Sequence, residues 1–227
     1  MEFASLREVR HTIIRTIGNR LREDTPWRGH DYDFTGVIFD GGDMHGAHFT
    51  GGTVSFFGSK FVGSQFAFSA AKFTGSSVVF TMAEFAGAAV NFDHSEFAGA
   101  TVNFRDAAFT GGSVSSYGAR FIGGRVDFFG ARFADGKVLF NNARFTGGIV
   151  SFNRATFIGA TVLFDRASFA GGTVSFDRAR FVDGQVSIRY DQNMPEPDAA
   201  MCPEGLLDAE AAGRTGVVRL PDTWKLD

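Results

Sequence analysis

A metal centre or a nucleophile in this chain would have to be built from five histidines, His11, His30, His45, His48 and His94, and one cysteine, Cys202. Only His45 and His48 lie close together, with Asp43 just upstream, and no further ligand is regularly placed beside them. Cys202 has no neighbouring base in sequence, so cysteine–histidine chemistry is not expected. The many glycine pairs open no helix and precede no lysine in the arrangement that cradles phosphate. Thr101, Thr161 and Thr173 share a phase, but Arg125, Lys137 and Ile149 interrupt it, which argues against a flat threonine face for binding ice. The sequence therefore nominates no catalytic residue, no metal ligand and no cofactor, and the chain is not expected to be an enzyme.

The glycines make sense as corners of a repeat. Phe49, Phe61, Phe73, Phe85, Phe97, Phe109, Phe121, Phe133, Phe145, Phe157, Phe169 and Phe181 stand twelve residues apart without a break. A period of that length implies a solenoid, each unit burying its apolar face against the units before and after it. Two further rows run inside the period: valines from Val54 to Val186 two residues before a second Phe row, and small residues from Ala71 to Ala179 two before the first. The unit reads Val-x-Phe-x-x-Ala-x-Phe-x-Gly-Gly-x. Residues two apart on a strand share a face, so Val174 with Phe176, and Ala179 with Phe181, are two short inward-facing strands. A polar pair such as Asp177-Arg178 forms one corner, and pairs such as Gly171-Gly172 form the other, where positive φ costs glycine little.

The lead-in to the array falls into fives: Tyr32-Asp33-Phe34-Thr35-Gly36, Val37-Ile38-Phe39-Asp40-Gly41, Gly42-Asp43-Met44-His45-Gly46 and Ala47-His48-Phe49-Thr50-Gly51. Its large centres are Phe34, Phe39, Met44 and Phe49, Ala47 stands two before the last, and Asp33 and Asp43 precede two of them. This resembles the pentapeptide-repeat family. The resemblance implies an all-β, right-handed quadrilateral β-solenoid in which centres and small residues point inward. The twelve-residue unit then looks like two sides plus a Gly insertion, giving a turn of twenty-four residues. A turn of twelve is the alternative; it would stack Arg120, Arg132 and Arg144 on successive rungs about 4.8 Å apart, where like charges repel.

The flanks differ from the array. Residues 1–30 are expected to form an amphipathic capping helix and linker: Leu6, Val9, Ile13, Ile14, Ile17 and Leu21 follow helical spacing, Ser5-Leu6-Arg7-Glu8 matches a capping box, and Arg7, Arg10, Arg15, Arg20 and Arg22 make a basic face. Residues 31–190 form the solenoid. Residues 191–227 form an irregular tail, within which Gly216 to Leu220 is strand-like and could cover the last coil with Trp224 nearby. No apolar run approaches the ~20 residues needed to span a bilayer, so a cytoplasmic protein is expected.

Charge gives the only functional indication. Seven acids face two lysines between Asp31 and Phe97, whereas eleven bases face six acids between Ala98 and Tyr190. Some pentapeptide-repeat proteins mimic duplex DNA and occupy DNA gyrase, which requires a broadly negative surface. A formal net charge of −3 with a basic second half argues against that role. The reading that follows is a non-enzymatic scaffold whose partner is a macromolecule, a protein before a nucleic acid, with Arg144, Arg154, Arg166, Arg178 and Arg180 as the interaction surface; a regulator that binds a topoisomerase such as DNA gyrase by acidic mimicry is the alternative. Ser116 breaks the second Phe row, and Tyr117-Gly118 beside it matches Phe57-Gly58 and Phe129-Gly130, suggesting outward aromatics at repeated corners.

Overall fold

In the computed structural model the twelve-residue unit is half a turn. Val54 pairs with Val78, Phe85 with Phe109 and Val138 with Val162, all in parallel and each a step of twenty-four residues. The lead-in coil is shorter, since Phe39 pairs with Phe61. The structure describes residues 2–63, 65–187 and 217–219, and these form an all-β parallel solenoid of about six turns preceded by one helix. Arg132 lies on a different side from Arg120 and Arg144, as the longer turn requires.

Four sides follow one another in each coil. The first includes Thr53–Ser55, Ser77–Val79 and Thr101–Asn103, and the second Lys60–Val62, Glu84–Ala86 and Ala108–Thr110. The third includes Ala89–Asn91, Ser113–Ser115 and Lys137–Leu139, and the fourth Lys72–Thr74 and Glu96–Ala98. Two longer strands, Arg120–Asp127 and Arg144–Ser151, run through the corner from the fourth side into the first and join them into one sheet.

Alternation along each short strand places Val78, Phe80, Ala83 and Phe85 wholly inside. The inward rings then stack from coil to coil. Phe80 to Phe104 and Phe104 to Phe128 are each 4.7 Å between centroids with planes within 5°, and Phe85 to Phe109 is 4.6 Å. Rings of neighbouring columns meet edge to face, as Phe80 and Phe92 do at 84°. Both arrangements suit the aromatic quadrupole and add to the burial of apolar area.

The corners differ from expectation in one respect. Positive φ is not confined to the glycine pairs: the two-residue polar corners also use it, at Met82 (58°), His94 (58°), Asn142 (57°), Arg154 (58°), Arg166 (59°) and Arg178 (55°). Each such corner closes with a backbone bond such as Ala83 N–H to Phe80 O (3.0 Å), and at Met82, His94, Asn142 and Arg154 the middle N–H donates to the next coil, as Met82 does to Arg105 O (2.9 Å). Those bonds hold a conformation that L-residues disfavour by about 1–2 kcal/mol. At a glycine pair the constraint is steric as well. A Cβ on Gly124, where φ is 80°, would lie 2.0 Å from the Ala100 carbonyl oxygen.

The helix α1 spans Glu2–Arg22 and already runs through Ser5, so the Ser5–Glu8 motif does not begin it. Its buried line is Ile14, Gly18 and Leu21, where a Cβ on Gly18 would meet the Asp43 carbonyl oxygen at 2.6 Å. Val9 and Ile13, counted with the apolar face in the sequence, are about half exposed (52% and 51%), because that close packing fixes the helix rotation. At the other end Val217–Arg219 pairs in parallel with Gln185–Ser187 and extends the third side. Cys202 and Trp224 lie outside the described residues.

Truncating a stacked ring leaves a cavity that the paired coils cannot close, so Phe80→Ala is expected to cost about 3–5 kcal/mol in chemical denaturation. Phe57→Ala, at an exposed corner, should stay within about 0.5 kcal/mol of the parent; equal losses would contradict the inward assignment.

Candidate functional site

All five arginines expected to form an interaction surface are exposed, but they divide between two opposite edges. Arg154 and Arg178 occupy the corner between the first and second sides on successive coils, and Arg180 begins the second side beside them. Arg166 lies at the corner between the third and fourth sides, and Arg144 begins the fourth. The turn of twenty-four residues causes this division, because consecutive units present their corners on diagonally opposite edges.

Partners temper these charges locally. The Arg154 guanidinium lies 5.4 Å from the centroid of the Phe129 ring, which Arg105 also approaches at 4.6 Å. Arg178 is 3.8 Å from Asp177. Across coils, Lys60 meets Glu84 at 2.9 Å on the second side, and Arg120 meets Glu96 at 3.2 Å on the fourth. Such exposed pairs contribute little to stability, but they break up both a continuous negative stripe in the first half and a positive one in the second.

The outward corner aromatics are placed as the repeat requires. Phe57 and Tyr117 are 42% and 44% exposed, and Phe129 is half-buried. They do not make one patch. Phe57 and Phe129 share an edge three coils apart, whereas Tyr117 stands on the opposite edge, edge-on to His94 at 5.6 Å.

His45 and His48 remain apart in role. The Nδ1 of His45 is 3.1 Å from Ser69 Oγ, and Asp43 accepts the His45 backbone N–H at 2.8 Å. Partial burial, with the charges of Arg28 and Lys72, holds the His48 imidazole below its usual range. Among the described residues no three His, Cys, Asp or Glu side chains gather as a metal group. No helix among them is long and apolar enough to cross a membrane.

A polar cluster that sequence reasoning missed joins α1 to the first coil. Asp40 Oδ2 lies 3.1 Å from Arg7 Nε and 3.2 Å from Arg10 Nη2, and Oδ1 accepts from His11 Nε2 at 3.0 Å. Burial alone would raise the Asp40 carboxyl; the bond from His11 and the charges of Arg10 and His11 outweigh it and hold the group below its ordinary value. Beside this cluster a cavity of about 320 Å³ is lined by His11, Arg15, Gly41, Gly42, Asp43 and Gln65.

No protein-family model matches the sequence, and no curated protein matches it. Solved structures to which the chain is similar are those of QnrB1, a plasmid-mediated fluoroquinolone resistance protein and a pentapeptide-repeat protein. The full-length structure is 16% identical with a TM-score of 0.21, over 84% of this chain and 92% of that one. A trypsin-treated variant is 18% identical with a TM-score of 0.26, over 84% and 91%.

The Asp40 cluster had a faint sequence signal. Arg7, Arg10 and His11 are spaced to share one helical face, but nothing in sequence indicates which corner receives them. Because the folded carboxyl is lowered, its contribution is present above the unfolded value, about 3.9, and is lost as pH falls through the folded value. The protection of α1 against hydrogen exchange, taken relative to the intrinsic rate at each pH, should therefore fall on acidification below about pH 4, while Asp40→Asn should lower it at neutral pH and flatten the dependence. Unchanged exchange in that variant would show that the apolar line alone holds the helix.

Proposed function

We propose that this chain is a non-catalytic interaction scaffold of the pentapeptide-repeat type, organised as a helical cap over residues 1–30, a recognition solenoid over 31–190 and a terminal segment over 191–227. Its partner is a protein that meets the outer edges, where Arg144, Arg154, Arg166, Arg178 and Arg180 supply the positive charge. The observation that carries this reading is backbone geometry. Arg154, Arg166 and Arg178 stand at φ of 55–59°, in corner positions that other coils give to Gly36, Gly46, Gly58, Gly118 and Gly130. Other coils fill the same position with Ala70, Met82, His94, Asp106 and Asn142, so the turn does not select the side chain, and arginine at all three of these corners places a charge where glycine would be easier.

Immobilised heparin serves as an acidic probe of these edges. The parent protein should be retained at low salt and released steeply as salt rises, and the variant with all five arginines changed to glutamine should lose most of that retention while keeping its unfolding midpoint. Absence of retention at low salt, or retention unchanged in the variant, would remove the five residues from the reading. Addition of the protein to a DNA gyrase supercoiling reaction should leave the rate unchanged; inhibition would favour acidic mimicry instead.

A further inference from the structure

The column of inward residues that ends the third side reads Met44, Phe68, Phe92, Ser116, Phe140 and Phe164, with serine where the two coils on either side have a ring. Ser116 is buried, and its N–H donates to Leu139 O at 2.7 Å, so its coil stays in register. The neighbouring columns do not move in to replace the missing ring. Phe97 to Phe121 is 4.9 Å and Phe121 to Phe145 is 4.8 Å, the same as in intact coils, and Phe104 to Phe128 is 4.7 Å. Phe121 to Phe140, 5.9 Å, is only slightly shorter than its intact equivalents Phe73 to Phe92, 6.1 Å, and Phe145 to Phe164, 6.2 Å, a shift far too small to take the place of a ring.

All the residues around Ser116 are buried from bulk solvent: Phe97 and Phe121 are 3% exposed, Phe92 2%, and Phe104, Phe128 and Phe140 1%. A rigid ladder of backbone bonds above and below explains why the space persists, because closing it would break the coil spacing that all four columns share.

The geometry points to an internal binding site at Ser116 for a small, neutral, apolar molecule about the size of one aromatic ring. Phe92 and Phe140 form its floor and ceiling, Phe97 and Phe121 one wall, and Phe104 and Phe128 the wall opposite. A ligand there completes the interrupted stack, lying parallel to Phe92 and Phe140 and meeting Phe104 and Phe128 edge-on, as Phe92 itself meets Phe104 at 87°. One hydroxyl among six rings gives water too few partners, and voids of this kind stay dry and admit benzene or xenon. The site is independent of the arginine edges.

Benzene is the probe. Protein NMR in benzene-containing buffer should show saturable shifts confined to the coils from Phe92 to Phe140, and the unfolding midpoint should rise with benzene concentration. Ser116→Phe should fill the space, raise the midpoint by about 2–8 °C without ligand, and abolish the benzene response. Ser116→Ala, which keeps the space and removes its polar group, should bind benzene at least as well as the parent. No saturable shifts in the parent or in Ser116→Ala, or a benzene response that survives in folded Ser116→Phe, would overturn the assignment.

Discussion

One spacing governs this molecule: the distance between rungs of a parallel coil is also the distance at which aromatic rings stack. Adjacent strands lie about 4.8 Å apart, and the columns repeat at 4.7 Å from Phe80 to Phe104 to Phe128. Phenylalanine can therefore occupy the same inward position in coil after coil without strain. The ring columns and the backbone ladder reinforce one another. A ring fixes the rung spacing that its neighbours need, and the rung spacing keeps each ring parallel to the next.

The same repetition acts on the outer surface, where stacking brings charges rather than rings together. On the second side Lys60 faces Glu84, and on the fourth Glu96 stands between Lys72 and Arg120 in successive coils. Arg120 and Arg144 are adjacent in register, and the Glu96 carboxylate beneath Arg120 offsets that repulsion. At the polar corners carboxylates serve the backbone: Asp93 accepts from the Tyr117 N–H at 2.9 Å and from the Ser115 hydroxyl. Much of the outward polarity is thus needed to hold the coil together, and only the remainder is available to a partner.

The sequence makes the solenoid legible because its inward rows are periodic and nearly invariant. The length of the turn is legible too, through the conflict that stacked arginines would create. What cannot be read is anything fixed by rotation or docking of a single element. Val9 and Ile13 follow the same spacing as Ile14 and Leu21, yet close approach of Gly18 to Asp43 decides which pair is buried. Asp40 looks like one more variable corner residue until α1 is docked, when Arg7, Arg10 and His11 converge on it. The five arginines read as one interaction surface in the sequence, but the coil geometry divides them between opposite edges.

The two kinds of corner have different capacities for display, and this limits where recognition can reside. At a glycine pair one of the two positions faces the backbone of the preceding coil so closely that any side chain would force the coils apart; Gly124 against Ala100 is the clearest case. At a two-residue corner both positions point away from that backbone. The steric demand there is only the positive φ, and a Cβ meets open space or the tip of a neighbouring side chain, as Gly130 meets the Asp106 carboxylate. Large and charged side chains can therefore accumulate on the edges between the first and second sides and between the third and fourth. Met82, His94, Asp106, Arg154, Arg166 and Arg178 all stand on those two edges. Each edge displays one such residue pair per coil, with the other edge facing away, so the large corner side chains gather on two separate lines rather than on four equivalent ones.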